Sequence, residues 1–126
     1  MKLVPLEGLP RLHATPLPET RIWDGRVAIE VDSEGEERLR LLFSPFQAAR
    51  VTTADCFLVP GGSPLSPGRI YEVVGSVWIE ELKTALRKID CDATFLSSSR
   101  HFLVPAQDDF IEVVSWSIHC EPAPIS

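Results

Sequence analysis

No apolar run in this 126-residue chain approaches the roughly 20 residues that a membrane-spanning helix needs. The amino terminus, Met1-Lys2-Leu3-Val4-Pro5-Leu6-Glu7-Gly8, is apolar for only a few positions before Pro5 and Glu7 interrupt it, unlike the continuous core of a secretory signal. A cytoplasmic location with no membrane partner is therefore expected. Cysteine is scarce: Cys56, Cys91 and Cys120 are odd in number, far apart and in no CxxC or CxxH pairing. Neither a disulfide framework nor a structural zinc site is written in that spacing, and reduced, mostly buried thiols are expected. The glycine-rich stretch Pro60-Gly61-Gly62-Ser63-Pro64-Leu65-Ser66-Pro67-Gly68 lacks a GxxxxGK pattern and reads as a surface connection. Positive charge is short as well. The net charge is −6, and the one local cationic cluster, Lys83, Arg87 and Lys88, falls on the solvent side of a helical pattern. Phosphate backbones are held by stripes of Lys and Arg, so nucleic acid is not an expected partner.

What is present is an ordinary globular composition, 44% hydrophobic and 24% charged, enough apolar surface to offset chain entropy. The length suits one domain, residues 1–126, with one core. Residues 1–20 carry Pro5, Pro10, Pro16 and Pro18, too many for a helix or a central strand, and read as an extended lead-in. From Arg26 the pattern alternates, Val27, Ile29 and Val31 against Arg26, Ala28 and Glu30, as a half-buried strand does. The polar turn Asp32-Ser33-Glu34-Gly35-Glu36-Glu37 leads to a second alternating run, Arg38 and Arg40 against Leu39, Leu41 and Phe43, which predicts a hairpin. Ser44-Pro45 predicts a bulge or bend, with strand resuming over residues 47–53 and a short extended piece at Cys56-Phe57-Leu58-Val59.

Ser76 is a natural N-cap for a helix with Glu80 and Glu81 early and Lys83, Arg87 and Lys88 late, as the helix dipole favours. Trp78, Leu82, Ala85, Leu86 and Ile89 make an apolar stripe expected to face the core, and Asp90-Cys91-Asp92 closes the helix. Residues 101–104 and 110–120 read as two strands around Pro105-Ala106-Gln107-Asp108-Asp109. A symmetric turn there sets 105 opposite 110 and 101 opposite 114, so that His101, Leu103, Glu112, Val114 and Trp116 share one face. The fold class expected is α+β, a largely antiparallel sheet with one main helix packed on it.

That register produces one polar pairing, His101 with Glu112, and a histidine beside a carboxylate is how a general base is tuned. The same pair also makes a structural hydrogen bond, and no serine or cysteine nucleophile is assigned to it by spacing, so no catalytic residue is named. Asp55, at the end of Arg50-Val51-Thr52-Thr53-Ala54-Asp55-Cys56, either caps a turn or joins His101 and Glu112 around a ligand. His119 and Cys120 are adjacent on a strand and point to opposite faces, which argues against a shared metal ion. No metal and no cofactor are expected. The acidic turns, with Glu34, Glu36 and Glu37 in one and Asp108 and Asp109 in the other, are solvated loops that also suit a basic partner.

The series Arg50 to Cys56, Tyr71-Glu72-Val73 with Ser76-Val77-Trp78-Ile79, and His101-Phe102 with Asp109-Phe110-Ile111-Glu112-Val113 resembles small bacterial proteins, some of them similar to immunity proteins encoded beside polymorphic toxins. The resemblance covers roughly the last two-thirds of the chain and carries over no site residue. It implies an interaction protein. Small size, negative charge, the acidic turns and three tryptophans point separately to an inhibitor or immunity-type domain that holds a basic partner through Glu36, Glu37, Asp108 and Asp109, with Trp23, Trp78 and Trp116 as aromatic anchors. The alternative is a small-molecule-binding protein or minor enzyme with a pocket near His101, Glu112 and Asp55. A third reading is a homodimer that buries apolar strand surface about a two-fold axis.

Overall fold

The computed structural model describes residues 1–62 and 64–124. Its strands are β1 (Lys2–Pro5), β2 (Glu19–Trp23), β3 (Arg26–Asp32), β4 (Arg38–Thr53), β5 (Tyr71–Val74), β6 (Arg100–Pro105) and β7 (Asp109–Pro122). All pair antiparallel in one seven-stranded sheet of order β1-β5-β6-β7-β4-β3-β2. One helix, α1 (Val77–Ile89), joins β5 to β6 by way of a short 3-10 turn at Phe95–Ser98, which gives the expected α+β class. No helix among the described residues is long and apolar enough to cross a membrane.

The alternating runs form the strands they predict. Val27, Ile29, Val31, Leu39, Leu41 and Phe43 are buried together, and Asp32 pairs with Arg38 across the β3–β4 hairpin. Past Ser44-Pro45, a cis peptide, β4 does not stop: it continues to Thr53 with a bulge between Phe46 and Ala48. The Pro-rich lead-in is more than a tether. Its ends supply β1 and β2, which are the two edges of the sheet, where proline and short length are tolerated. Of the piece expected to be extended at Cys56–Val59, Cys56 instead closes a 3-10 turn at Ala54–Cys56, while Phe57 is extended but pairs in no strand and stacks on Phe110 at 4.3 Å.

The sheet folds over on itself. A straight strand of 16 residues would run about 50 Å. Yet Phe43, in the first half of β4, touches Phe102 at 5.6 Å between ring centroids, although Phe102 lies level with Ala49 through Val113. The lead-in straps the open side: Leu6 N–H donates to the Ile70 carbonyl, Leu12 N–H to Gly68, His13 N–H to Asp32 and Gln107 N–H to Pro16, all at 2.9–3.1 Å. Leu12 is buried within this strap, and Gly68, at φ +76°, lies so close to it that a Cβ would sit 2.5 Å from the Leu12 carbonyl oxygen. The concave face thus encloses the main core of Leu12, Val27, Ile29, Phe43, Phe102 and Val113 with their neighbours. The convex face carries a smaller cluster, Tyr71, Val73 and Leu103, covered by Leu3, Phe57, Leu65 and Phe110.

Helix α1 is attached to that convex face chiefly at its start. Ile79 is its buried residue, whereas Trp78, Leu82 and Leu86 are half-covered and Ala85 and Ile89 are exposed, so the expected core stripe is only partly realised. The cysteines depart from expectation too. Cys56 and Cys91 lie exposed in the connections flanking strand and helix, and Cys120 is half-buried near the end of β7.

Candidate functional site

On the convex face, neighbouring strands put polar residues in a row. Arg50 of β4 is the direct Cα partner of Glu112 on β7, and His101 of β6 lies diagonally beyond Glu112, opposite Val114. The Arg50 guanidinium donates from Nε to Glu112 Oε1 at 2.7 Å and from Nη2 to Oε2 at 3.3 Å. His101 Nε2 meets Glu112 Oε2 at 2.5 Å, and His101 Nδ1 meets Ser76 Oγ at 2.7 Å. Ser76 caps α1, its Oγ accepting from Ile79 N–H at 3.1 Å. The four residues form one hydrogen-bonded chain running from a sheet strand to a helix N-terminus.

Three of the four are deeply buried: Ser76 is 6% exposed, His101 2% and Glu112 1%. Arg50 is the exception, with its side chain about half exposed and its guanidinium stacked 3.9 Å from the Trp78 ring. Trp78 also sets its ring against His101 at 5.3 Å in an edge-on arrangement. Burial pushes the Glu112 carboxyl up, but hydrogen bonds and charge from His101 and Arg50 together outweigh it, and the group is held below the ordinary 4.5. Glu112 is therefore an ionised carboxylate at neutral pH, with three donors around it.

A serine, a histidine and a carboxylate in series have the element types of an acyl-transfer triad, but here the serine and the carboxylate are already engaged otherwise. The Ser76 oxygen holds a helix terminus, and the carboxylate that would orient the histidine is neutralised by Arg50. The arrangement fastens α1 to the sheet. A cleft of about 210 Å³ opens beside them, lined by the predicted pair His101 and Glu112 together with Arg50, Trp78, Phe57, Leu58, Val77 and Glu81. Its rim is apolar, with Leu58 and Val77 well exposed.

Asp55 does not join this group. It sits exposed in the 3-10 turn after β4, where Ala54 N–H donates to the Asp108 carbonyl at 2.8 Å, and so belongs with the acidic turn of Asp108 and Asp109. Its place in a ligand pocket with His101 and Glu112 is corrected accordingly: the 3-10 turn carries it away beyond the strand end. The two acidic turns cap opposite ends of β4, yet the folded sheet brings them to one rim. Glu34 N–H donates to the Arg11 carbonyl and Gln107 N–H to Pro16, and the five steps from Arg11 to Pro16 span at most about 18 Å. Glu34 and Glu36 are exposed on this rim, with Asp55 and Asp108, while Arg11 is the cation among them. Glu37 is exposed too but lines a groove with Leu39, His119, Cys120 and Glu121. There, burial together with Glu37 and Glu121 pushes the Cys120 thiol up. His119 is exposed and Cys120 half-buried on opposite faces of β7, and among the described residues no three His, Cys, Asp or Glu side chains gather as a metal cluster.

Sequence reasoning reached His101 and Glu112 but not Arg50, and it placed Ser76 only as a helix cap. The available signal for Arg50 was its position on a strand of alternating pattern, an isolated cation facing the same side as Ala48. Compared with family models, curated proteins and solved structures, the chain matches none.

Proposed function

We propose that this protein is an interaction domain, of inhibitor or immunity type, that holds a basic partner protein on its acidic rim. The observation that carries the reading is the convergence of two acidic turns, distant along β4, onto one strapped edge with Asp55 added to them. Five carboxylates, Glu34, Glu36, Asp55, Asp108 and Asp109, fall within a span that fits a standard protein interface of roughly 800 Å² per partner. Such an array steers a cationic surface toward it and weakens as salt screens it. The resemblance to immunity-type proteins, carried by residues 50–56, 71–73, 76–79, 101–102 and 109–113, agrees with this class of partner.

The test is affinity capture of the tagged protein from its host's lysate, repeated with Glu36, Asp108 and Asp109 all changed to Lys. A stoichiometric basic partner that the wild type holds and the triple variant releases supports the reading. A partner held equally by both, or released only when the cleft beside Arg50 is altered, overturns it.

One observation favours a second reading, a small-molecule-binding protein. The outward edge of the Arg50 guanidinium, stacked on Trp78, faces the 210 Å³ cleft with Glu81 on the same wall. That geometry suits a small molecule with a carboxylate for Arg50 and an apolar body for Phe57, Leu58 and Val77. Saturable binding of small carboxylates, abolished by Arg50→Met, would place it first.

A further inference from the structure

The two edges of the sheet are treated differently. The β1 edge ends in Pro5 and is flanked by the turn at Pro60–Gly62, where a Cβ on Gly61 would lie 3.4 Å from the Met1 carbonyl. The β2 edge has no cover among the described residues. All of its residues, Glu19 to Trp23, are exposed, as is Leu17 just before them. It is short and carries the charges of Glu19 and Arg21, but it has no lysine, no bulge and no proline within its span, three devices that keep an edge from pairing.

The geometry of the β2–β3 hairpin says which groups face outward. Asp24 and Gly25, at φ 44° and 72°, make a two-residue turn of the I′ kind, and such a turn closes on a hydrogen-bonded pair, here Trp23 with Arg26. Alternation then directs the N–H groups of Glu19, Arg21 and Trp23 to β3 and those of Thr20 and Ile22 outward. Pro18, next in that outward series, lacks an N–H but offers a carbonyl.

A row of charges crosses the sheet and ends at this edge. Across the sheet, Glu121 lies opposite Arg40, Arg40 opposite Glu30, and Glu30 opposite Glu19. The last two are like charges directly across from one another, which disfavours the pair unless a cation adjoins it. Arg38 reaches Glu19 at 3.5 Å from within the sheet, and on the open side the next strand position is vacant of any described strand.

We propose that a second copy of this chain fills that position: two β2 strands pair antiparallel about a two-fold axis at Thr20, making one sheet continuous across both molecules. In this register Thr20 faces its symmetry mate through two hydrogen bonds, and each Ile22 N–H donates to the Pro18 carbonyl of the other copy. Glu19 of one copy stands opposite Arg21 of the other, twice, so the β2 sequence is complementary to itself. The same register carries Ile22 toward Pro18 and Trp23 toward Leu17 of the other copy, covering apolar side chains that are 57%, 38% and 63% exposed at Ile22, Trp23 and Leu17. The contact is short, so the dimer is a weak one that forms as concentration rises.

Sedimentation velocity over a concentration series, run on the whole chain, tests this. The wild type is expected to move from the mass of one chain to that of two. Arg21→Glu and Glu19→Arg each replace two opposite-charge contacts by two like-charge ones and weaken the dimer about tenfold or more. The double variant E19R/R21E returns it to near the wild-type strength. Thr20→Pro removes an N–H that faces solvent in the monomer and abolishes pairing, while circular dichroism verifies that each variant is folded. A wild type that stays monomeric throughout overturns the proposal. So does a dimer indifferent to these substitutions, or one that the double variant fails to restore.

Discussion

Replacing Glu112 isolates the polar chain from everything around it. Its carboxylate takes hydrogen bonds from Arg50 Nε at 2.7 Å, Arg50 Nη2 at 3.3 Å and His101 Nε2 at 2.5 Å, with almost no solvent to substitute for any of them. In Glu112→Leu the histidine N–H and the inner side of the guanidinium lose their acceptor inside the protein, and breaking a buried pair by removing one partner costs about 3–5 kcal/mol. Glu112→Gln is milder. Its amide oxygen still accepts from Arg50, and its NH2 can face His101 Nε2 if the ring proton moves to Nδ1 and is donated to Ser76 Oγ. The loss is then the charge-assisted part, about 1.5–3 kcal/mol. For a domain of this length about 3–5 °C accompanies each kcal/mol, so the leucine variant should melt about 10–20 °C below wild type by calorimetry. Acidification supplies a second, independent readout. Glu112 has its folded pKa below its unfolded one, so its contribution is complete above the ordinary 4.5 and is lost as pH falls through the lower folded value. The gap between wild type and Glu112→Gln should therefore narrow below pH 4.5. A leucine variant within about 1 kcal/mol of wild type, against the 3–5 kcal/mol expected, would refute the anchoring role. A gap that stays constant on acidification would refute the charge argument.

Ser76→Ala removes both a helix cap and the partner of His101 Nδ1, and should cost about 1–2 kcal/mol in chemical denaturation, with Ser76→Gly recovering none of the His101 share. Gly68→Ala places a Cβ 2.5 Å from the Leu12 carbonyl oxygen at a positive φ, and since that neighbour is backbone the strap must move. A loss of about 2 kcal/mol or more is expected, and thermal melting detects it. Titration of the native protein with a thiol reagent at pH 8 should modify Cys56 and Cys91 quickly and Cys120 slowly, because Cys120 is partly covered and its thiol is pushed up.

The parts of this fold that could be read from the residues are those where alternation and a turn agree. The register that a symmetric turn imposes, 105 with 110 and 101 with 114, is the one β6 and β7 adopt, and it sets His101 beside Glu112. Arg50 was illegible for a different reason. Its pairing with Glu112 depends on a bulge between Phe46 and Ala48, and a one-residue slip there would turn Arg50 to the concave core. The edge strands β1 and β2 and the four-residue β5 are held by their neighbours rather than by pattern, so their short or Pro-flanked sequences gave no period to count. Asp55 was open between a turn and a ligand group because residues past the strand end carry no period to fix their direction, and the 3-10 turn decides for the former. The helical stripe failed in part because amphipathic spacing says which side is apolar, not how much of it the sheet covers.

That last point explains why a polar chain lies where an apolar contact would be expected. Helix α1 buries Ile79 and leaves Ile89 85% exposed, so its apolar contact with the sheet is small. Apolar burial is also indifferent to direction, and would tolerate α1 sliding or rotating on the convex face. The chain from Arg50 through Glu112 and His101 to Ser76 tolerates neither, because each link needs its partner at hydrogen-bond distance and the buried carboxylate has no water to fall back on. It fixes the helix N-terminus, and with it Trp78, over the strands. Trp78 in turn positions the guanidinium of Arg50, the most exposed member of the chain. A carboxylate bound at the outer edge of Arg50 would compete with Glu112 for the same guanidinium charge. A carboxylate bound at Arg50 is therefore coupled to the seating of α1, and weakening that seat by Ser76→Ala should also change the affinity at Arg50.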